Sequence, residues 1–289
     1  MIRLGRARWR ARIMPRLCAS LLAAFLVWWP GLASGQAPAA RTPRVVTLAP
    51  SVTELVFAAG AGDRIVGTVL SSDYPPQATQ LPRIGDGLLF NEEAILALQP
   101  TLVLGWQDTP ATRALARRLA TLNIPLHYVE PRTLDDIPRW IRWLGGQLGT
   151  ASVAHTAAAG LQARIAALDR HPAQQASVYI EVGQSPLYTL GNDPLINDLL
   201  HRCGGRNLYA DSPLAAPQTS VEAVLRQDPD LVIVSPDTAQ GLSQRRAWWA
   251  RYGLPAALAG RIEAIPADWL FRPGPRLVDA AEALCAVMP

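Results

Sequence analysis

The 289-residue chain carries 27 basic residues, all of them arginine, against 23 acids, for a formal charge of +4. Six of those arginines fall within the first sixteen residues; without them 21 stand against 23 acids and the remainder is slightly acidic. No basic patch survives to argue for a nucleic-acid partner.

Residues 1–35 read as an export signal. Arg3, Arg6, Arg8, Arg10, Arg12 and Arg16 form a basic stretch without an acid, and Leu17 to Trp29 is an apolar run of about thirteen residues, too short to span a bilayer comfortably. Pro30-Gly31 breaks the run, and Ala33-Ser34-Gly35 offers small residues for cleavage after Gly35. An uncleaved N-terminal anchor is the alternative. Cys18 lies at the start of the apolar run, the wrong place for a lipid-modified cysteine, and leaves with the signal. The mature chain is then expected outside the cytosol, with Cys203 and Cys285 remaining. An even count outside the cytosol favours a disulfide; two separately buried thiols are the alternative.

Residues 36–43 read as a linker and 44–148 as a first lobe. Val45 to Leu48 is a strand, Pro50-Ser51 a turn, and Ser51-Val52-Thr53-Glu54 fits a capping box opening a helix that runs through Ala58. Ile65-Val66-Gly67 begins the next strand. Asn91 caps a short helix that leads into Leu102-Val103-Leu104; Ala111 to Leu122 is helical, and Leu126 to Val129 is a strand. An alanine-rich helical stretch follows, and residues 149–172 read as a connecting helix. About twenty residues of helix cover roughly 30 Å, enough for a rigid spine between lobes.

Residues 173–289 read as a second lobe: a strand at Ser177 to Val182, a helix from Asp193-Pro194 to Gly204-Gly205, a helix at Trp248 to Leu258, a strand at Ile262 to Ile265 and a closing helix at Val278 to Val287. One unit occurs in both lobes. Glu93-Ala94-Ile95-Leu96-Ala97-Leu98-Gln99-Pro100-Thr101-Leu102-Val103-Leu104 returns as Glu222-Ala223-Val224-Leu225-Arg226-Gln227-Asp228-Pro229-Asp230-Leu231-Val232-Ile233. Each copy is a short helix halted by proline and followed by a strand apolar on both faces. The fold class expected is α/β, with two similar lobes, each a mainly parallel sheet covered by helices, joined by one long rigid helix. The cleft between such lobes is a natural ligand site.

Catalytic signals are weak. Gly183-Gln184-Ser185 resembles a nucleophile elbow, but Leu187 stands where the final glycine belongs. His127, His155, His171 and His201 make no ligand pair at a metal-binding spacing, so no metal site is expected. Aromatic residues instead gather near strand ends: Tyr74, Trp106, Tyr128, and Tyr188 in the loop after the second lobe's first strand. Ligands bind beyond the carboxyl ends of parallel strands. Together with Asp268 and Arg272 after Ile265, these rings suit a large, flat, partly apolar ligand.

The runs Arg44 to Leu55, Ser72-Asp73-Tyr74-Pro75-Pro76, Cys203-Gly204-Gly205-Arg206-Asn207, Pro217 to Glu222 and Asp268-Trp269 resemble the periplasmic vitamin B12-binding family that serves cobalamin ABC importers. The strand-and-turn motifs alone are shared with a wider group that binds haem and ferric siderophores. The resemblance implies a protein that holds a corrinoid, as transported ligand and not as cofactor, between its lobes and passes it to an inner-membrane permease. The ligand contacts it implies are Ser51, Tyr74, Trp106, Tyr128, Tyr188, Asp268 and Arg272, with Ala216 standing where the family has a tryptophan. It also implies a Cys203–Cys285 disulfide and permease docking through one acid per lobe. Glu222 matches the second of these, although its place at a helix start explains an acid there equally well. The first maps to neutral Thr112, with Asp108 the nearest acid. A monomer without enzymatic activity is expected; a haem or siderophore carrier and a secreted α/β hydrolase are the alternatives.

Overall fold

The computed structural model describes residues 42–168 and 174–289; the expected signal segment, Cys18, most of the linker and His171 lie outside them. In the first lobe, β1 (Val45–Thr47) is followed by α1 (Pro50–Ala58), β2 (Ile65–Gly67), α2 (Glu92–Ala97), β3 (Leu102–Gly105), α3 (Pro110–Ala120) and β4 (Leu126–Tyr128). Next come α4 (Asp136–Leu148) and α5 (Ala151–Ala166). The second lobe runs β5 (Ala176–Gln184), β6 (Leu187–Thr189), α6 (Pro194–Arg202), β7 (Gly205–Asn207), α7 (Val221–Gln227), β8 (Leu231–Val234) and α8 (Ala239–Arg251). It closes with α9 (Pro255–Leu258), β9 (Ile262–Ala264), α10 (Ala267–Leu270) and α11 (Leu277–Val287). No described helix is long and apolar enough to cross a membrane.

The first sheet has the order β2-β1-β3-β4 and is parallel throughout. The second has the order β6-β5-β8-β9, with β7 also pairing β5; β6 alone is antiparallel. The sequence repeat is also a structural one. Val45 pairs with Leu102 as Val178 pairs with Leu231, at the same register in the two lobes. Gln99 and Asp228, each just before the repeat's proline, both take positive φ, 48° and 45°. A left-handed residue there ends the helix without the right-handed conformation that a following proline disfavours. The residue after the proline then staples the lobe's first strand. The Thr101 hydroxyl accepts the Arg44 N–H at 2.9 Å, and the Asp230 carboxylate accepts the Ser177 N–H at 2.8 Å.

Alternation along the strands sends side chains into three cores. Val46 and Val103 face a core of the first lobe, and Tyr179, Val232 and Val234 face one of the second. Their neighbours Val45, Leu104, Val178, Ile180, Leu231 and Ile233 belong to one central core shared with α1, α4, α5, α6 and α11. The lobes are therefore fused through a common apolar layer.

Three local expectations are corrected. The connecting element is not one helix over 149–172: Gly149, at φ 75°, caps α4, and α5 starts again at Ala151, its 16 residues covering about 24 Å. The helix placed at 248–258 begins instead at Ala239 and breaks at Gly253, φ 74°, before α9. Ser51 to Glu54 is not a capping box: the N-cap of α1 is Ala49, without a side-chain cap, and Glu54 turns toward the other lobe.

Cys203, at the end of α6, is bonded to Cys285 in α11, 82 residues away. Closing a loop of that size stabilises by on the order of 4 kcal/mol through the unfolded chain. Thiol titration of the protein denatured without reductant should find neither Cys203 nor Cys285 free; recovery of both thiols would overturn the bridge.

Candidate ligand cleft

A cavity of about 400 Å³ lies where the carboxyl ends of β3, β4 and β5 meet. The first lobe supplies Trp106 and Gln107 after β3 and Glu130, Pro131 and Arg132 after β4. The second supplies Val182, Leu190, the start of α6, Ala216, Leu270 and Phe271. Its volume falls in the range of small-molecule sites, and its walls are mainly apolar. Two details shape the second-lobe wall. Gly191 admits no side chain, because a Cβ there would lie 1.8 Å from the Leu214 carbonyl, and this close approach brings the Ala216 segment to the wall. Asn207 on β7 donates to the Gly191 carbonyl at 2.8 Å and the Leu190 carbonyl at 3.2 Å. Asp193 is consumed in capping α6, accepting from Leu195 and Ile196 N–H groups.

Beside this cavity a chain of ions crosses between the lobes. Glu54 on α1 is 2% exposed. Arg276 grips it with two charge-assisted bonds, Nη2 to Oε1 at 2.7 Å and Nε to Oε2 at 3.0 Å, and Arg272 approaches Oε1 at 3.5 Å. Arg272 also donates to Asp73 at 2.6 Å and pairs with Asp268 at 2.7 Å. The Arg276 guanidinium lies 4.3 Å over the Tyr74 ring. Burial pushes the Glu54 carboxyl above the ordinary range against the pull of both guanidiniums. The hydrogen bond from Arg272 holds the half-exposed Asp73 below it.

The expected ligand residues divide accordingly. Trp106 lines the cavity, and so does Ala216, whose small side chain leaves that wall open. Arg272 and Asp268 pair with each other and do not line it: Arg272 falls between the lining residues Phe271 and Pro273, and Asp268 lines a smaller hollow with Asp237. Tyr74 faces a separate, open groove of about 710 Å³ with Phe57, Gly62 and Pro275. Ser51 is buried in the first turn of α1. Tyr128 is turned into its own lobe: its ring packs on Gly105 and its hydroxyl donates to Thr112 Oγ1 at 3.1 Å. Tyr188 lies not in a loop but in β6, on its exposed face and over Gly183. The same hairpin disposes of the nucleophile-elbow resemblance, since β5 turns back as a strand and no helix follows Ser185. Phe271, Leu190 and Pro131 are cavity residues that sequence reasoning passed over; Phe271 sits directly before Arg272, its one available signal. Among the described residues no group of three or more His, Cys, Asp or Glu could hold a metal ion.

The profile of the family described as periplasmic binding protein matches residues 45–268. A vitamin B12-binding protein of Pectobacterium carotovorum is 35% identical over 92% of this chain and 95% of its own length. The one from Vibrio cholerae is 34% identical over 91% and 94%. The crystal structure of a periplasmic vitamin B12-binding protein of Vibrio cholerae superposes with a TM-score of 0.76 at 32% identity, covering 85% of this chain and 96% of that one. A periplasmic haem-binding protein of Roseiflexus gives 0.71 at 29%, covering 85% and 97%. The chain belongs to the periplasmic binding protein family.

Within that family frame the acids expected at a permease need one correction. Thr112 is 5% exposed, and its hydroxyl serves the capping box of α3 with Thr109, so it presents nothing to a partner. Asp108 is exposed and lies 3.6 Å from Arg113. Glu222 is exposed as the second residue of α7, two after its N-cap Ser220. Its own backbone N–H and the Ser220 hydroxyl hold its carboxyl below the ordinary range. The same position of the repeat in the first lobe is Glu93, exposed and two residues after the N-cap Asn91.

The interlobe ions supply a test. Glu54→Gln leaves Arg276 facing an uncharged partner in a buried setting, and should destabilise by about 3 kcal/mol. For a chain of this size that is roughly 6–12 °C in Tm, measurable by calorimetry. An unchanged Tm would show that the lobes do not rely on this contact.

Proposed function

We propose that this protein captures a corrinoid, cobalamin in the first instance, between its two lobes in the periplasm and delivers it to an ABC importer in the inner membrane. The carrying observation is the chemistry of the cleft. Trp106, after β3, and Phe271, after α10, give flat apolar walls, and among the described residues no His, Tyr, Cys or Met lines the cavity. Such a site offers no axial ligand to an iron porphyrin, whereas a corrinoid brings its own axial ligation. The lining cation Arg132 lies beside Glu130, and the neighbouring Arg272 and Arg276 are engaged by carboxylates. That leaves little for the carboxylates of a haem or the anionic groups of a siderophore and suits the neutral amides of a corrinoid. The names of the vitamin B12-binding relatives support the same reading. The protein acts by binding and carries no cofactor of its own in this reading, with a cleavable leader as its route to the periplasm.

Calorimetric titration with cyanocobalamin, cobinamide and haemin tests the ligand: corrinoids should bind and haemin should not. Trp106→Ala and Phe271→Ala should each cost on the order of 1–3 kcal/mol, a tenfold to hundredfold drop in affinity. Corrinoid affinity equal to the parent's in both variants would place the ligand elsewhere.

The partner reading rests on the repeat, which sets one exposed acid, Glu93 or Glu222, at the same helix start in each lobe. Acids so placed fit arginines on a permease and fix orientation through charge-assisted bonds. The Glu93→Ala, Glu222→Ala double variant should keep its corrinoid affinity but lose importer association and uptake. Normal uptake would remove the paired-acid docking.

A further inference from the structure

Four hydroxyl side chains, Thr47, Thr53, Thr68 and Ser72, meet inside the first lobe, each no more than 1% exposed. Thr47 Oγ1 lies 2.7 Å from Thr53 Oγ1 and 2.9 Å from Thr68 Oγ1, and the last two are 2.8 Å apart. Ser72 Oγ closes the cluster at 2.7 Å from Thr68 and 3.2 Å from Thr53. Beyond its own members the cluster reaches the Ala49 carbonyl, which accepts from Thr53 at 3.1 Å. Among the described residues no carboxylate or imidazole hydrogen-bonds to it. The hydroxyls therefore lack the base that would make one of them a nucleophile.

Apolar side chains of similar size would fill this space without desolvating four hydroxyls, so the cluster is costly unless its geometry matters. Its members come from four segments: the end of β1, the first half of α1, the residue after β2 and the turn beyond it. Hydrogen bonds fix those segments at set oxygen–oxygen distances, where apolar contacts would let them slide. Two of the four hydroxyl residues are each joined directly to an acid: Glu54 succeeds Thr53, and Asp73 succeeds Ser72. Those two carboxylates hold Arg272 from the first lobe, at 3.5 and 2.6 Å. The turn is secured from outside as well, by Arg83 donating to the carbonyls of Val69 at 2.9 Å and Ser72 at 3.1 Å.

We infer that the Thr47–Thr53–Thr68–Ser72 cluster is a positioning device that sets the spacing of Glu54 and Asp73 and so fixes Arg272, between the cleft-lining residues Phe271 and Pro273. Thr53 and Thr68 each touch all three other hydroxyls; Thr68 is the member to test, because Thr53 also bonds the Ala49 carbonyl and directly precedes Glu54. The effect on ligand affinity rests on the corrinoid reading above; the effect on Asp73 does not.

The test compares Thr68→Val, which keeps the shape and removes the hydroxyl, with Thr68→Ser, which keeps the hydroxyl. In the ligand-free protein the Asp73 carboxyl, which faces Arg272 and Arg276, is titrated by NMR. In the parent and in Thr68→Ser it should stay below the ordinary aspartate range; in Thr68→Val it should move back toward that range. If Thr68→Val does not fold, Ser72→Ala, at the edge of the cluster, serves in its place. A folded hydroxyl-deletion variant in which Asp73 titrates as in the parent overturns the proposal. Cyanocobalamin affinity is then measured in a cycle with Asp73→Asn. Each single variant should lose about tenfold, and the double variant should lose little more than either, because both act through Arg272. Additive losses would also overturn the proposal. A shifted Asp73 with unchanged cyanocobalamin affinity would uphold the positioning and count instead against Arg272 as part of the ligand site.

Discussion

The buried carboxylate of Glu54 is the contact on which the arrangement of the lobes turns. A lone charge at that depth would be prohibitive, and it is tolerated because Arg276 meets it fork to fork and Arg272 stands behind. Both arginines flank the short Pro273-Gly274-Pro275 segment that leads into α11, so satisfying one side chain in the first lobe seats the last helix of the second. α11 in turn is bonded to α6 through the disulfide and to α5 through Arg164, whose guanidinium reaches Asp279 at 2.6 Å and Glu282 at 2.7 Å. Connecting helix, closing helix and cleft edge thus belong to one polar framework laid over the shared core.

Much of this architecture is legible in the sequence because its strands are buried on both faces. Leu102-Val103-Leu104 and Leu231-Val232-Ile233 have no other reading once a proline precedes them, and their repetition announces two lobes. The elements that escape are those whose own residues carry too little pattern. β6 and β7 are three residues each, and each exists by pairing with β5. The first part of α8 is mostly polar and gives no apolar rhythm, so the sequence pattern shows only the end of that helix, from Trp248. Glu54 stands at a capping-box spacing from Ser51, but the local option loses to two arginines more than 200 residues away.

The cleft is legible in part for a similar reason. A position at the carboxyl end of a strand says which end of the sheet a residue occupies, not which way its side chain turns. Trp106 turns into the cavity; Tyr128, at the end of the neighbouring strand, turns toward α3. Tyr188 reads as a loop residue, and the hairpin that carries it exposes the ring instead. Phe271 has no signal beyond its place before Arg272, and an isolated Leu-Phe-Arg run does not distinguish a wall from a core residue. The equivalence of Glu93 to Glu222 is legible in the repeat; the structure adds that both are exposed and stand two residues after matched caps, Asn91 and Ser220.

The central core belongs to neither lobe, since Val45 and Leu104 share it with Val178 and Ile233. Parting the lobes widely would wet that layer, and every buried methylene brought into water costs about 0.8 kcal/mol. A wide swing of the lobes is therefore expensive for the described residues. A bound ligand leaves at the rate set by its own contacts with the walls, unless an outside agent does mechanical work on the lobes. The shared layer sets a floor on what opening the cleft costs, whatever occupies it.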